Sequence, residues 1–157
     1  MVQPAWIEWG SLFKIQKRII YAIEAVLDIA LNAGANPVQN VAIAKRQGIP
    51  KRYLEQTLQI LVKNNILVAS RGPRGGYRLA KERRKIKILD IIKPVTKGKE
   101  VSDLYKSKIS KVIIQPMIHK FLKESMFYLD KISVEDVYNQ YKQKNKDNNN
   151  KKVDFVI

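Results

Sequence analysis

The chain has 157 residues, of which 45% are hydrophobic and 28% charged, a balance typical of a folded domain rather than a disordered chain. Its 30 Lys and Arg residues outnumber its 14 Asp and Glu residues, and the net charge of +16 makes a polyanion such as nucleic acid the expected partner. The sequence contains no cysteine, which excludes disulfides, thiolate metal sites and cysteine nucleophiles.

The first predicted element is a helix over residues 14–32 with one apolar face. This face is formed by Ile15, Ile19, Ile23, Val26, Leu27 and Ala30. Because Glu24 and Asp28 interrupt this most apolar stretch of the chain, the pattern indicates a buried helix rather than a membrane span. Residues 1–12 contain Glu8 and no Lys or Arg, which is unlike a targeting peptide, so we expect a cytoplasmic protein that does not bind a membrane.

Two shorter helices follow, over residues 40–47 and 50–64, and Gly48 supplies the left-handed stop between them. A longer helix followed by two helices joined by a tight turn is the skeleton of a helix-turn-helix unit. The predicted inner faces are Val41 and Ala44 on the second helix and Leu54, Leu58, Leu61 and Val62 on the third. The outer face of the third helix carries side chains suited to phosphates and base edges, namely Lys51, Arg52, Glu55, Gln56, Gln59 and Lys63. A helix that is merely solvated would show the same polar face.

A β-hairpin is predicted next, with strands over residues 66–70 and 77–79 and a glycine-rich, cationic tip. The tip is formed by Arg71, Gly72, Pro73, Arg74, Gly75 and Gly76. Glycines let a backbone approach a surface closely, and Arg side chains at such a tip can enter a minor groove or contact phosphates. A flexible loop is the alternative interpretation, whereas a phosphate-binding loop is excluded because no Gly-Lys-Ser/Thr follows. The place of the hairpin directly after the third helix favours a DNA-binding wing.

The sequence after the hairpin begins with a basic run over residues 81–87. Residues 88–92 are predicted as a short strand and a helical turn that Pro94 breaks, and residues 101–110 have no regular pattern. Residues 116–130 then predict a helix with an apolar stripe, formed by Met117, Ile118, Phe121, Leu122, Ser125 and Leu129. Most apolar stripes pack on their own domain, but this one lies beyond a complete winged helix. We therefore expect a symmetric dimer interface through Ile118, Phe121, Leu122, Ser125 and Leu129.

Ser133 and Asp136 have the spacing of a capping box that opens a last helix, predicted to end near Tyr141. Together the elements predict a mainly α fold with a small β-hairpin wing, that is, a winged helix-turn-helix with a long C-terminal dimerisation helix. The predicted divisions are an N-terminal extension over residues 1–12, the DNA-binding domain over 13–97, linker and dimerisation helices over 98–141, and a disordered basic tail over 142–157.

Residues 41–80, which read VAIAKRQGIPKRYLEQTLQILVKNNILVASRGPRGGYRLA, resemble the signature of the Rrf2 family of transcription regulators. Less sharply, the resemblance extends from Phe13 to about Tyr141. It implies a winged-helix homodimer whose third helix enters the major groove of DNA and whose wing enters the minor groove. By matching positions it implies base contacts by Arg52, Glu55 and Gln56, a wing contact by Arg71 with Gly72, and phosphate contacts by Gln16, Lys17 and Arg18. A Lys-Gly-Arg-Tyr run of the family reads Arg-Ile-Ile-Tyr here, so phosphate contacts are not implied at Ile19 and Ile20.

Many members of this family carry three spaced cysteines, and sometimes a nearby histidine, that hold an iron-sulfur cluster. Aligned on the segment ISVEDVY, the last cysteine falls near Val112 and the histidine near Gln115, while His119 matches neither. One imidazole cannot anchor a cluster, so we expect no cofactor and no metal. The regulatory signal would then come from a protein partner or a small ligand, or the chain would receive no signal.

The sequence thus predicts a homodimer that binds double-stranded DNA at a palindromic promoter site and acts as a repressor. The alternative is a non-specific architectural DNA-binding or interaction protein with a degenerate sensor region. An enzyme is not expected, because one His, no Cys and no catalytic spacing support no active site.

Overall fold

The computed structural model describes residues 14–96 and 104–153. The first half contains helices α1 (Lys17–Leu31), α2 (Asn40–Gln47) and α3 (Lys51–Lys63), and strands β1 (Leu67–Ser70) and β2 (Gly76–Leu79). The second half contains a 3-10 turn (Arg83–Lys85), α4 (Ile88–Val95), a π-helical stretch (Ser110–Ile114), α5 (Gln115–Asp130) and α6 (Val134–Val153). The mainly α architecture with one β-hairpin is the one that the sequence predicted.

Helix α1 forms the centre of the hydrophobic core. Its small residues Ala22 and Ala25 are fully buried, and this lets α3 and α4 pack closely against it. The inner face of α3 supplies Leu54, Leu58 and Leu61, each with no exposed surface, as the leucine spacing predicted. Ile91 of α4 and Val134 of α6 complete the core, so the first turn of α6 belongs to the same packed unit.

The β-hairpin is attached to the helices on two sides. Strands β1 and β2 are antiparallel, with Leu67 opposite Leu79 and Ser70 opposite Gly76. The Val38 amide donates to the Tyr77 carbonyl at 2.9 Å, and the Tyr77 amide donates to the Val38 carbonyl at 2.8 Å. Through this isolated β-bridge, the loop before α2 pairs with β2. The Arg78 guanidinium also donates to the carbonyl oxygens of Gly34 at 2.8 Å and Ala35 at 2.6 Å. The hairpin is therefore held against the α1–α2 loop.

Two details of the first helices differ from the prediction. Helix α1 begins at Lys17, so Ile15 precedes the helix and is 64% exposed. On α2 the fully buried residue is Ile43, while Val41 is 60% exposed. The apolar spacing of α2 is too short to fix its rotation, and contact with α1 and α3 turns Ile43 inward.

Residues 88–92 form the start of α4, and the predicted strand is wrong. Ile88, Ile91 and Val95 have helical spacing and are all buried. The Lys87 amide donates to the Asp90 carboxylate at 2.9 Å, which satisfies an otherwise free N–H at the start of this helix. Pro94 lies in the last turn of α4, so this helix ends soon after it.

The capping box before α6 is confirmed. The Ser133 amide donates to the Asp136 carboxylate at 2.8 Å, and the Asp136 amide donates to the Ser133 hydroxyl at 3.1 Å. These hydrogen bonds to Ser133 lower the pKa of the Asp136 carboxyl below its ordinary value. Helix α6 continues to Val153, so residues 142–153, predicted as a disordered tail, are helical.

Some predictions fall on parts of the chain that the structure leaves out. The N-terminal extension over residues 1–12 and the last residues of the predicted tail, 154–157, lie outside the described residues. Part of the predicted linker, residues 98–103, lies outside them as well. Across the two described segments, no helix has the length and apolar character that crossing a membrane requires.

A buried carboxylate joins α1 to the end of α2. The Asp28 side chain has no exposed surface, and it accepts hydrogen bonds from Arg46 Nε at 2.9 Å, from an Arg46 terminal nitrogen at 2.7 Å and from Gln47 Nε2 at 2.8 Å. The hydrogen bond to Asp28 raises the pKa of the Arg46 guanidinium above its ordinary value. Burying a charge is unfavourable unless it is paired and hydrogen-bonded, so this pairing makes the position of α2 specific.

We expect Arg46→Ala to lower the free energy of unfolding by about 2–4 kcal/mol, because it leaves a buried carboxylate with one of its three side-chain hydrogen bonds. Lys45→Ala removes the neighbouring exposed cation and should change this free energy by less than about 0.5 kcal/mol. Arg46→Lys keeps the charge and loses the bidentate hydrogen bond, so its loss of unfolding free energy should lie between those of the other two variants. Chemical denaturation at neutral pH measures all three, and equal losses for Arg46→Ala and Lys45→Ala would contradict the role given to Asp28.

Candidate nucleic-acid interface

The outer face of α3 is fully open to a partner. All of the polar side chains that the sequence assigned to this face are exposed, namely Lys51, Arg52, Glu55, Gln56, Gln59 and Lys63. Because Leu54, Leu58 and Leu61 are buried on the opposite side, the rotation of the helix about its own axis is determined. Asn40 Nδ2 of α2 lies 3.5 Å from Glu55 Oε1 and orients this carboxylate.

The turn between α2 and α3 determines where the outer face begins. Gly48 adopts a left-handed conformation with φ of 65°, which residues with a side chain rarely adopt, and Ile49 is buried directly after it. Pro50 precedes the first turn of α3, and no side chain in the described part of the chain caps that turn. The first amides of α3 therefore have no capping side chain among the described residues, and they lie at the positive end of the helix dipole.

The residues before and at the start of α1 lie beside α3. Gln16, Lys17 and Arg18 line an open groove together with Gln56, Gln59 and Lys63 of α3. Tyr21 and Tyr53 also line this groove, and the centroids of their rings lie 6.4 Å apart. The structure thus brings together two segments that are more than 30 residues apart in the sequence and that were predicted separately.

The hairpin tip carries the predicted wing residues. Arg71, Gly72, Pro73 and Arg74 are exposed, and Gly72 has a φ of 100°, a conformation that requires glycine. Gly75 is half-buried, its amide donates to the Gly72 carbonyl at 2.9 Å, and a Cβ there would clash with the Ser70 carbonyl oxygen. Gly75 therefore shapes the turn, while the residues before it form the exposed surface.

Two polar residues of this surface were not singled out from the sequence. Gln39 Nε2 donates to the Pro73 carbonyl at 3.4 Å, which connects the start of α2 to the hairpin tip. Asn40 contacts Glu55 as described above. Both residues lie at the predicted start of the second helix, where polar residues often cap the helix. This position is the sequence signal that could have identified them as part of the surface.

The combined surface of the α1 start, the α3 outer face and the hairpin tip is strongly cationic. We call it the basic face. It carries one carboxylate, Glu55, against seven cations, Lys17, Arg18, Lys51, Arg52, Lys63, Arg71 and Arg74. None of these seven forms an ion pair with a described residue. Clustered cations without carboxylate partners repel one another, and a polyanion relieves that repulsion.

Comparison with known proteins finds transcription regulators. Residues 15–140 match the Rrf2 family, described as "Iron-dependent Transcriptional regulator". The HTH-type transcriptional regulator IscR of Escherichia coli is 45% identical over 75 residues, which are 48% of this chain and 46% of IscR, so the chain spans about half the length of this curated relative.

Solved structures extend the likeness to most of the chain. IscR of T. potens is 32% identical with a TM-score of 0.70, over 84% of this chain and 90% of that one. CymR (YrzC), the global cysteine regulator of B. subtilis, is 25% identical with a TM-score of 0.62, over 82% of this chain and 98% of that one. The fold is therefore that of a winged helix-turn-helix regulator, as the sequence predicted.

The family description raises the question of whether this chain could hold iron. It has no cysteine, and no group of three or more His, Asp or Glu residues within the described ranges could hold a metal ion. The sequence prediction placed the last cysteine of the family near Val112, which is 60% exposed, and its histidine near Gln115, whose side chain is an amide. His119 is exposed on α5. The residues present do not fit an iron-sulfur cluster.

We expect Gly76→Ala to lower the free energy of unfolding by about 1–3 kcal/mol, because a Cβ there would lie 2.5 Å from the Val38 carbonyl oxygen and the φ is 156°. Gly34→Ala is the matched control, since a Cβ at Gly34 meets nothing within 4 Å, and its effect should stay within about 0.5 kcal/mol. Urea denaturation measures both free energies. Amide exchange at Tyr77 should quicken in Gly76→Ala alone, and unchanged exchange would show that Val38 does not hold the hairpin.

Proposed function

Since the chain belongs to the Rrf2 family of transcriptional regulators, we propose that it binds double-stranded DNA as a homodimer and represses transcription by occupying a palindromic promoter site. The observation that carries this proposal is the basic face, whose seven cations have no carboxylate partner among the described residues. A regulator of this kind acts where the chromosome is, and the proposal therefore keeps the cytoplasmic location predicted from the sequence.

The geometry of the basic face suits the two grooves of DNA. An α-helix fits the major groove, where Arg reads guanine and Gln reads adenine by paired hydrogen bonds, so we assign base contacts to Arg52, Glu55 and Gln56 on α3. We assign phosphate contacts to Gln16, Lys17, Arg18, Lys51, Gln59 and Lys63 around the groove. The tip residues Arg71, Gly72, Pro73 and Arg74 are then placed at the neighbouring minor groove.

The helix α5 and the π-helical stretch before it leave many apolar side chains exposed. None of the residues 110–130 is buried, and the exposed fraction is 60% at Ile113, 47% at Leu122 and 63% at Phe127. A soluble monomer rarely exposes so much contiguous apolar surface, so a second copy of the chain is the proposed occupant. We keep Ile118, Phe121, Leu122 and Ser125 as interface residues. Leu129 packs against the core of its own chain, so little of its side chain is exposed for contact with a second copy.

A symmetric dimer explains why the proposed site is palindromic. Two α3 helices related by a twofold axis can enter successive major grooves when they lie about 34 Å apart, and each then reads one half-site. Because the chain lacks cluster ligands, neither dimerisation nor DNA binding should depend on iron. A regulatory signal must then act at a site other than an iron-sulfur cluster.

We expect Arg52→Ala to weaken binding to the preferred DNA site about 10–100-fold and to reduce discrimination between sites, because a paired base contact is lost. Arg71→Ala should also weaken binding, with a smaller salt dependence, because a wing contact to DNA is lost. Lys123→Ala removes an exposed cation of α5 and should change affinity less than about twofold. Fluorescence anisotropy titrations of the three variants, repeated at several salt concentrations, measure the affinities and their salt dependence. Equal effects of Arg71→Ala and Lys123→Ala would contradict the wing assignment.

We expect Leu122→Glu to convert the dimer to a monomer, because it buries a carboxylate in the proposed apolar interface. The neighbouring Lys123→Glu introduces the same residue at an exposed position and should leave the dimer intact. Sedimentation velocity gives the mass of each variant. A parent protein that sediments as a monomer, or a Leu122→Glu variant that remains a dimer, would argue against this interface.

We expect anaerobic reconstitution with ferrous iron and sulfide to load no cluster onto this chain, because no thiolate is available. DNA affinity should be the same before and after treatment with an iron chelator. Absorption spectroscopy and anisotropy titration measure these two properties, and a chelator-dependent affinity would contradict the iron-independent mechanism.

A further inference from the structure

A second concave surface lies between the end of α1, strand β2, the 3-10 turn and the start of α6. This cavity has a volume of about 740 Å³, which is within the range of small-molecule sites. None of the predicted DNA-contacting residues lines it. We call it the α6 cavity.

The lining of the α6 cavity combines an apolar floor with a cationic rim. Ile29, Ala30 and Val38 form part of the floor and belong to the buried core. The rim carries four cations against two carboxylates, namely Arg78, Lys81, Arg83 and Arg84 against Glu82 and Glu135. A cavity of this kind suits a molecule with an apolar body and a negative charge.

Several polar groups of this lining have no hydrogen-bond partner among the described residues. The Lys81 ammonium, the Asn36 amide and the hydroxyls of Tyr77 and Tyr138 make no hydrogen bond with a described residue. The neighbouring cations are engaged instead, since Arg83 pairs with Glu135 at 2.8 Å and its guanidinium lies 3.8 Å from the centre of the Tyr138 ring. Arg84 pairs with Glu82 at 2.6 Å, and Arg78 donates to two backbone carbonyls. Within the described part of the chain, Lys81 is therefore the rim cation that has neither an ion pair nor a hydrogen bond.

We propose that the α6 cavity binds a small organic anion. Its apolar body lies on the floor between Ala30 and Tyr138, and its carboxylate, sulfonate or phosphate group pairs with Lys81 at the rim. Nothing in the binding changes a covalent bond. The recognition rests on apolar burial together with one charge-assisted contact.

The walls of the α6 cavity also hold the wing in place. Val38 and Tyr77 line the cavity and form the backbone pair that attaches β2 to the α1–α2 loop. Arg78 lines it too and donates to Gly34 and Ala35 in the same loop. A ligand between these groups changes how β2 sits on the loop, and through β2 it moves the hairpin tip. This regulatory role rests on the proposed DNA binding, whereas the existence of the site does not.

The test uses the full chain without DNA and two fluorescent probes of similar shape. 8-Anilinonaphthalene-1-sulfonate carries a negative charge, and N-phenyl-1-naphthylamine has the same rings without it. We expect the charged probe to bind saturably with one site per chain and about tenfold tighter than the neutral probe. Binding that does not saturate would overturn the proposal.

Two pairs of variants locate the probe. Lys81→Glu should weaken binding of the charged probe about fivefold or more and leave binding of the neutral probe unchanged. Lys93→Glu makes the same change in net charge outside the cavity and should leave the binding of both probes unchanged. Ala33→Phe fills the cavity and should abolish binding of both probes, while Ala35→Phe, in the same loop but outside the lining, should not. An equal loss of charged-probe affinity in Lys81→Glu and Lys93→Glu would overturn the proposal. An equal effect of Ala33→Phe and Ala35→Phe on probe binding would overturn it as well, because the probe would then bind elsewhere, for instance on the exposed apolar surface of α5.

A further measurement separates the site from its regulatory role. Saturating charged probe should change the affinity for the preferred DNA site about fivefold or more in the parent protein and not in Ala33→Phe. Unchanged affinity in the parent, with saturable probe binding, would contradict the regulatory role alone. A chain that binds no DNA would contradict the proposed function, and the probe titrations would still decide whether the cavity is a site.

Discussion

The buried Asp28 carboxylate is the contact on which the position of the helix-turn-helix unit, α2 and α3, depends. It lies on the central helix α1 and accepts three side-chain hydrogen bonds from Arg46 and Gln47, the last two residues of α2. The left-handed Gly48 follows immediately and leads into α3, so the placement of α2 on α1 determines where the outer face of α3 points. A purely apolar contact at this place would allow α2 to rotate, whereas a buried carboxylate accepts only the arrangement that satisfies its hydrogen bonds.

The buried charge of this domain is paired, whereas the cations of its basic face are unpaired among the described residues. Asp28 is buried and satisfied, while the cations of the basic face are exposed and have no carboxylate partners among the described residues. The first arrangement contributes specificity to the fold, and the second keeps the surface ready for a polyanion. The α6 cavity lies where α1, β2 and α6 meet, so it connects the core to the hairpin. In a chain without cysteine, we propose this cavity as the site through which a small molecule acts on DNA binding.

Much of this structure follows from local patterns in the sequence. The leucine spacing of α3 and the glycine-rich tip defined the helix and the hairpin, and both lie where they were predicted. The errors arose where several structures fit one pattern, as in the short apolar run of α4, or where a polar sequence gave no apolar periodicity, as in residues 142–153 of α6. The Asp28 contact and the α6 cavity bring together residues that are far apart in the sequence, and only the packed fold shows them. The contacts assigned to individual DNA-binding residues remain predictions.

Sequence-specific binding by a dimer is tested most directly by selecting bound sequences from a random pool of double-stranded DNA at near-physiological salt and titrating the selected site against a scrambled one. We expect a dyad-symmetric site whose half-site centres are about 10–10.5 base pairs, or a multiple of that, apart. The protein should prefer this site about a thousandfold or more over the scrambled sequence. Tight binding with no recovered motif and equal affinity for both DNAs would contradict sequence-specific binding, and would identify a protein that binds DNA through its charge alone.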